Sequence, residues 1–205
     1  MHFEANHVYH VYNRGNDKSP IFFNEKNYLF IIEKIRKEWQ MLCDVLCYCL
    51  MPNHFHFMLF VKPEACEKLV PGDQPSHLQK LSKKIGNTLS SYTRAIHKQN
   101  NTRGNLFQKK TKAKCLTDIP FENNRFRVTD YLIQCINYIH LNPLKAGLVN
   151  CLADWPFSSW PEYYYNKEGG LCNKQRMFAI LGVNEIMPGP NENFLFNSAI
   201  LKDIW

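Results

Sequence analysis

The chain opens with His7-Val8-Tyr9-His10-Val11-Tyr12, an alternating, β-rich run that predicts a strand closed by the turn cluster Asn13-Arg14-Gly15-Asn16-Asp17. Asn24 is placed to cap a helix reaching about Trp39, with Tyr28, Ile31, Ile32, Ile35 and Trp39 along one face. Val45 to Met51 and His54 to Val61 read as second and third strands joined by a tight Pro52-Asn53 turn. Both are apolar on both faces, as covered central strands are. After a loop from Pro63 to Pro75, Ser76 opens a helix to about His97 whose buried stripe is Leu78, Leu81, Ile85, Leu89 and Tyr92. Asn100 to Asn105 is a further loop. Leu106 to Leu116 is a fourth strand, with Lys110, Lys112 and Lys114 sharing one face at period two. A third helix runs from Val128 to Leu141, because the residue before Pro143 is pushed out of helical geometry. The first six elements, β-α-β-β-α-β, match the ferredoxin-like split pattern: an α+β fold with an antiparallel sheet, helices on one face, and one extra helix. The character changes after Asn150, so residues 1–150 are read as the main domain and 151–205 as a C-terminal packing extension or tail.

Composition narrows the class. With 205 residues, 45% hydrophobic and 14% aromatic, the chain has enough apolar surface for a sizeable core. No apolar run approaches the roughly 20 residues of a membrane span. Residues 1–6 lack the basic and apolar regions of a signal peptide, so a cytoplasmic protein is expected. The eight cysteines include no Cys-x-x-Cys pair, and reduced, buried thiols are expected of them.

Charge is distributed unevenly. Between Gln74 and Thr117 there is no Asp or Glu, while Lys80, Lys83, Lys84, Arg94, Lys98, Arg103, Lys109, Lys110, Lys112 and Lys114 all fall there. The rest of the chain holds 15 basic and 18 acidic residues, so one segment accounts for the net charge of +7. A solvated helix face usually mixes both signs; a one-signed segment points to a polyphosphate partner, and so to nucleic acid.

The candidate chemistry lies in two places. On a strand, His54 and His56 share a face, which puts two imidazoles together at a strand end. Tyr138 and Asn142 stand at i and i+4, a phenol and an amide on one helix face. Two ring nitrogens plus an amide oxygen leave open positions for water and substrate, as a catalytic metal site requires. Such a set suits manganese, and magnesium less well; zinc stays open. Tyrosine, with an ordinary pKa of about 10, needs a cation or a metal-polarised phosphate to act as a nucleophile. Tyr131, one heptad earlier, is its competitor, and Asn142 reads equally as a turn residue before proline. His140 points to another face of the helix.

Tyr48-Cys49-Leu50-Met51-Pro52-Asn53-His54-Phe55-His56 and Tyr138-Ile139-His140-Leu141-Asn142-Pro143-Leu144-Lys145-Ala146-Gly147-Leu148-Val149 resemble the two signature segments of single-tyrosine HUH transposases, in the branch of REP-associated tyrosine transposases. Asn13-Arg14-Gly15, Gly104-Asn105-Leu106-Phe107-Gln108 and Trp155-Pro156-Phe157-Ser158-Ser159 resemble that branch too, in the same order, so the resemblance spans residues 7–165. It implies that His54, His56 and Asn142 hold a divalent metal, Mn2+ or Mg2+. It implies that Tyr138 attacks single-stranded DNA near a hairpin, forming a 5′-phosphotyrosine bond and freeing a 3′-hydroxyl. Lys109-Lys110-Thr111 departs from the family's usual continuation after Phe107-Gln108.

DNA contacts are expected from Arg14, Lys83, Lys84, Arg94, Lys109, Lys110, Lys112 and Lys114, with Tyr92 and Phe107 as candidates to stack bases. The resemblance leaves a monomer and a homodimer both open. Two other readings stand beside this one: a domesticated nucleic-acid-binding protein whose chemistry has lapsed, and a zinc hydrolase, which lacks a general-base carboxylate beside the histidines.

Overall fold

The computed structural model describes residues 1–68, 78–117, 128–165 and 169–183. Its elements are β1 (Val8–Arg14), α1 (Glu25–Trp39), β2 (Cys43–Met51), β3 (His54–Val61), α2 (Lys80–Asn100), β4 (Lys112–Cys115), α3 (Val128–Lys145), α4 (Trp160–Tyr164) and α5 (Lys174–Leu181). The strands form one sheet in the order β2-β3-β1-β4, with every neighbouring pair antiparallel. The expected order of the first six elements is observed. Every residue of β2 is buried, as its two apolar faces anticipate.

Strand parity divides the sheet. Val11, Phe55, Phe57 and Leu59 point into a core with Tyr28, Ile31, Ile35 and Trp39 of α1 and Leu81, Ile85, Leu89 and Tyr92 of α2. Val8, Cys47, Cys49 and Met58 point the other way, against Leu132, Cys135, Ile136 and Ile139 of α3. The two helices of the split pattern thus share one face, and α3 covers the other. A break in the β2–β3 register between Val45 and Cys47 keeps both sides of β2 packed.

Three boundaries differ from the sequence expectation, each for a local reason. Leu78 and Gln79 are not helical, so α2 begins at Lys80 rather than Ser76. The Gln79 amide instead exchanges two 2.7 Å hydrogen bonds with the Phe3 backbone. The fourth strand is confined to Lys112–Cys115, apart from a single bridge between Phe107 and Gly15. Between them the Asn13 amide donates to Gln108 O at 3.2 Å and Thr111 Oγ1 at 2.9 Å, replacing ladder pairing with side-chain bonds.

The third helix runs through Pro143 instead of stopping before it. Proline has no N–H for Ile139 O, four residues back. The Asn142 Nδ2 group supplies the donor, reaching Tyr138 O at 2.8 Å and Ile139 O at 3.3 Å.

Residues beyond 150 pack on β2. Ser159 Oγ accepts from Tyr48 N at 2.9 Å, Trp155 Nε1 donates to Leu50 O at 3.1 Å, and Tyr163 OH donates to Leu46 O at 2.5 Å. The buried Glu162 carboxylate accepts from Tyr48 OH at 2.9 Å, Leu171 N at 3.1 Å and Cys172 N at 3.0 Å. All eight cysteines carry free thiols. Among the described residues no helix is long and apolar enough to cross a membrane.

Candidate active site

The sheet register assembles the site in rows. Across β4, β1, β3 and β2, Lys112 stands beside Tyr12, Tyr12 beside His56, and His56 beside Cys49. The next rows are Lys114–His10–Met58 on one side and Arg14–His54–Met51 on the other. All of these positions lie on the α3 side of the sheet. The tight turn ahead of β3 is anchored by Gly15 N donating to Asn53 O at 2.8 Å. Gly15 is required there, since a Cβ would sit 1.9 Å from Ser19 O.

Hydrogen bonds fix how the first ring faces the site. Asn53 Nδ2 donates to Lys18 O at 3.2 Å, so its Oδ1 is the atom 2.6 Å from His54 Nδ1. His54 Nδ1 must therefore carry the proton. Burial lowers the pKa of His54 below its ordinary value, against the raising effect of Asn142, and the ring is neutral. Its Nε2 is then a lone-pair nitrogen. Facing it at 3.4 Å is Asn142 Oδ1, an oxygen set in place because Asn142 Nδ2 is committed to the helix carbonyls.

Two acceptors aimed at each other repel unless a cation lies between them. Donors about 2.1 Å from one ion stand roughly 3.0–3.5 Å apart, so this pair fits a divalent metal. Among the described residues no group of three or more His, Cys, Asp or Glu is arranged to hold a metal, which leaves the amide as the candidate third donor.

His56 is 1% exposed, and burial, with His10 and His54 nearby, holds its pKa well below the ordinary value. Its Nδ1 lies 2.9 Å from Nε2 of the equally buried His10. With the shared proton on His56 Nδ1, His56 Nε2 is the lone-pair nitrogen. Metal-bound histidines commonly rest on such a partner. Sequence reasoning passed over His10 as an ordinary strand residue; only the β1–β3 register reveals its role.

Tyr138 meets both rings edge-on, 5.4 Å from His56 and 6.3 Å from His10 between centroids. It is 5% exposed, and burial raises its pKa well above the ordinary value, so the phenol is protonated in this state. Lys145 Nζ lies 5.9 Å from its ring centroid. Tyr131 sits two turns away beneath Lys114, at 5.9 Å. His140 faces elsewhere, within 2.7 Å of Ser159 Oγ and with its pKa lowered by burial to about 3.

A cavity of about 400 Å3 opens beside the histidines and is edged by Arg14, Lys18, Lys110 and Lys112. Lys18 was not singled out from sequence. Lys109 and Lys114 line a neighbouring hollow along β4. Lys83, Lys84 and Arg94 are not part of this assembly. They project from α2, which packs on the opposite face of the sheet. Tyr92 and Phe107, expected to stack bases, are instead core residues, and Tyr92 OH donates to Ile21 O at 2.6 Å.

No protein-family model matches the chain. It is similar to a curated protein of Haemophilus influenzae described as a putative REP-associated tyrosine transposase, 22% identical over 162 residues that cover 73% of this chain and 84% of that one. The solved structure of a REP-associated tyrosine transposase bound to a REP hairpin superposes with a TM-score of 0.57 and 15% identity, covering 96% of this chain and 94% of that one. A bacterial tRNA(His) guanylyltransferase-like protein in complex with GTP, at TM-score 0.39 and 9% identity over 73% of this chain and 71% of that one, is too distant to bear on the argument. The resemblance to REP-associated tyrosine transposases read from the signature segments thus extends to a curated relative, and the α+β fold to a solved structure.

Proposed function

We propose that this protein nicks and rejoins single-stranded DNA at hairpin-bearing sites, with Tyr138 as the nucleophile. The observation that carries the reading is the facing pair of acceptors, His54 Nε2 on β3 and Asn142 Oδ1 on α3 at 3.4 Å, with Asn142 one helical turn from Tyr138. The curated relative and the hairpin-bound structure support the same substrate class. A divalent ion, Mn2+ or Mg2+, held by His54, His56 and Asn142, would draw charge from a non-bridging phosphate oxygen. Tyr138 Oη attacks phosphorus, forming a 5′-phosphotyrosine bond as the bond to the 3′ oxygen breaks. The phenolic proton leaves with the attack, and a proton is returned to the departing oxygen as the 3′-hydroxyl. Attack by another 3′-hydroxyl reverses these steps and rejoins the strand, conserving the bond energy without a further cofactor. Arg14, Lys18, Lys110 and Lys112 hold the backbone beside the site.

The test is a denaturant-stable protein–DNA adduct formed on a hairpin-containing single strand with Mn2+ or Mg2+. Tyr138→Phe should abolish it, and Tyr131→Phe should retain it. An adduct that survives Tyr138→Phe overturns the assignment of the nucleophile. The burial of Tyr138 favours a second reading, a binding protein whose chemistry has lapsed. Binding of the strand without adduct under either metal would select it.

A further inference from the structure

Tyr12 occupies a position that none of the chemistry above uses. It stands between the two basic hollows: its ring lines both the 400 Å3 cavity at the histidines and the second hollow, about 720 Å3, along β4. Lys110 and Lys112 are shared by both in the same way, and no carboxylate lines either among the described residues. The ring is half-buried and stacks on His10 at 4.7 Å between centroids and 24° between planes, so its orientation is set before anything binds. Lys112 Nζ stands 5.8 Å from its centroid.

A continuous strand with a phosphate at His54 and His56 and its backbone along the β4 lysines has to pass this ring. An oriented aromatic flanked by cations is what a base of single-stranded nucleic acid stacks on, and such stacking is tolerant of base identity. A ring already held by a neighbour loses little further freedom on binding.

Building on the proposed nuclease reading, we infer that Tyr12 is a stacking platform for the unpaired base next to the phosphate at the histidines. The base lies against the Tyr12 ring, its phosphates between Arg14 on one side and Lys110 and Lys112 on the other. Tyr12 acts here as a positioning residue: it fixes which phosphate reaches Tyr138.

The experiment uses the full chain with Tyr138→Phe to keep the DNA intact, and hairpin-bearing single strands carrying 2-aminopurine or an abasic site at successive positions around the cleaved phosphate. Tyr12→Leu is expected to weaken binding of the unmodified strand by about tenfold, Tyr12→Phe by little. The penalty of Tyr12→Leu should vanish when one particular nucleotide is abasic, and 2-aminopurine at that position should be quenched on binding only when residue 12 is aromatic. An equal penalty on every abasic strand means the ring merely supports the sheet and overturns the inference, as does no penalty at all. In either case the adduct assay on the chain with Tyr138 intact still stands, so the nuclease reading survives separately. Absence of any strand binding overturns both.

Discussion

Replacing Asn142 by alanine removes two things at once, and a second substitution separates them. The side-chain amide donates to Tyr138 O at 2.8 Å and Ile139 O at 3.3 Å, the second being the carbonyl that Pro143 leaves without a backbone donor. Each bond is worth about 1 kcal/mol net, and a helix carbonyl stranded inside a packed element costs about 1–3 kcal/mol. Asn142→Ala should therefore lower metal-free stability by roughly 2–3 kcal/mol, read from urea unfolding with chelator present. In a Pro143→Ala background the restored N–H satisfies Ile139 O, and the same substitution should cost only about 1 kcal/mol, a coupling of about 1–2 kcal/mol. Mn2+ affinity behaves differently. It should fall with Asn142→Ala in both backgrounds, because Pro143→Ala does not return the oxygen that faces His54 Nε2. Equal stability costs in the two backgrounds would refute the idea that the amide stands in for the missing backbone donor.

Three further outcomes are expected. His140 has a folded pKa of about 3, below its unfolded value of about 6.5, so the unfolded state binds the extra proton between these limits. Its stabilising share is complete above the unfolded value and falls as pH drops; by pH 5 the loss is about 2 kcal/mol, and His140→Gln should flatten that part of the stability-against-pH curve. Glu162→Ala strands three donors, Tyr48 OH, Leu171 N and Cys172 N, and should cost about 3 kcal/mol in urea unfolding while the adduct assay on the surviving folded fraction is unchanged. His10→Leu removes the partner of His56 Nδ1 and should weaken Mn2+ binding by about 10–100-fold in calorimetry; unchanged affinity would strip His10 of its orienting role.

Much of the frame was readable before the structure because it depends on local pattern. The His54–Val61 strand, the α1 stripe and the sixfold element order all follow from periodicity, and the histidine pair follows from parity on one strand. What escaped were interactions between segments distant in sequence. Nothing near Asn13 announces that its amide will capture Gln108 and Thr111, and so the fourth strand was drawn too long. Pro143 correctly signals a missing donor, but its repair depends on where one side chain folds back. His10 and Tyr12 became meaningful only once β1 was paired with β3, and Phe107 took its place in the core through its bridge to Gly15. The lysines of α2 show the limit of charge counting: an acid-free segment can wrap both faces of a sheet.

The parity of β1 also has an engineering consequence. Residues 10, 12 and 14 serve the α3 side, while residues 9 and 11 are aliphatic or aromatic core and Asn13 ties down the loop before β4. Removing one residue between Tyr9 and Asn13 would reverse the facing of every residue on one side of the gap. With Val11 deleted and the N-terminal half of the strand held, the Tyr12 ring and the Arg14 guanidinium would turn toward α1 and α2, and the Asn13 amide toward the groove. Point substitutions in this strand are thus graded in effect, whereas a single-codon deletion is close to all-or-none. A deletion scan would mark β1 as an unforgiving stretch, even though it contains neither the proposed nucleophile nor a proposed metal donor.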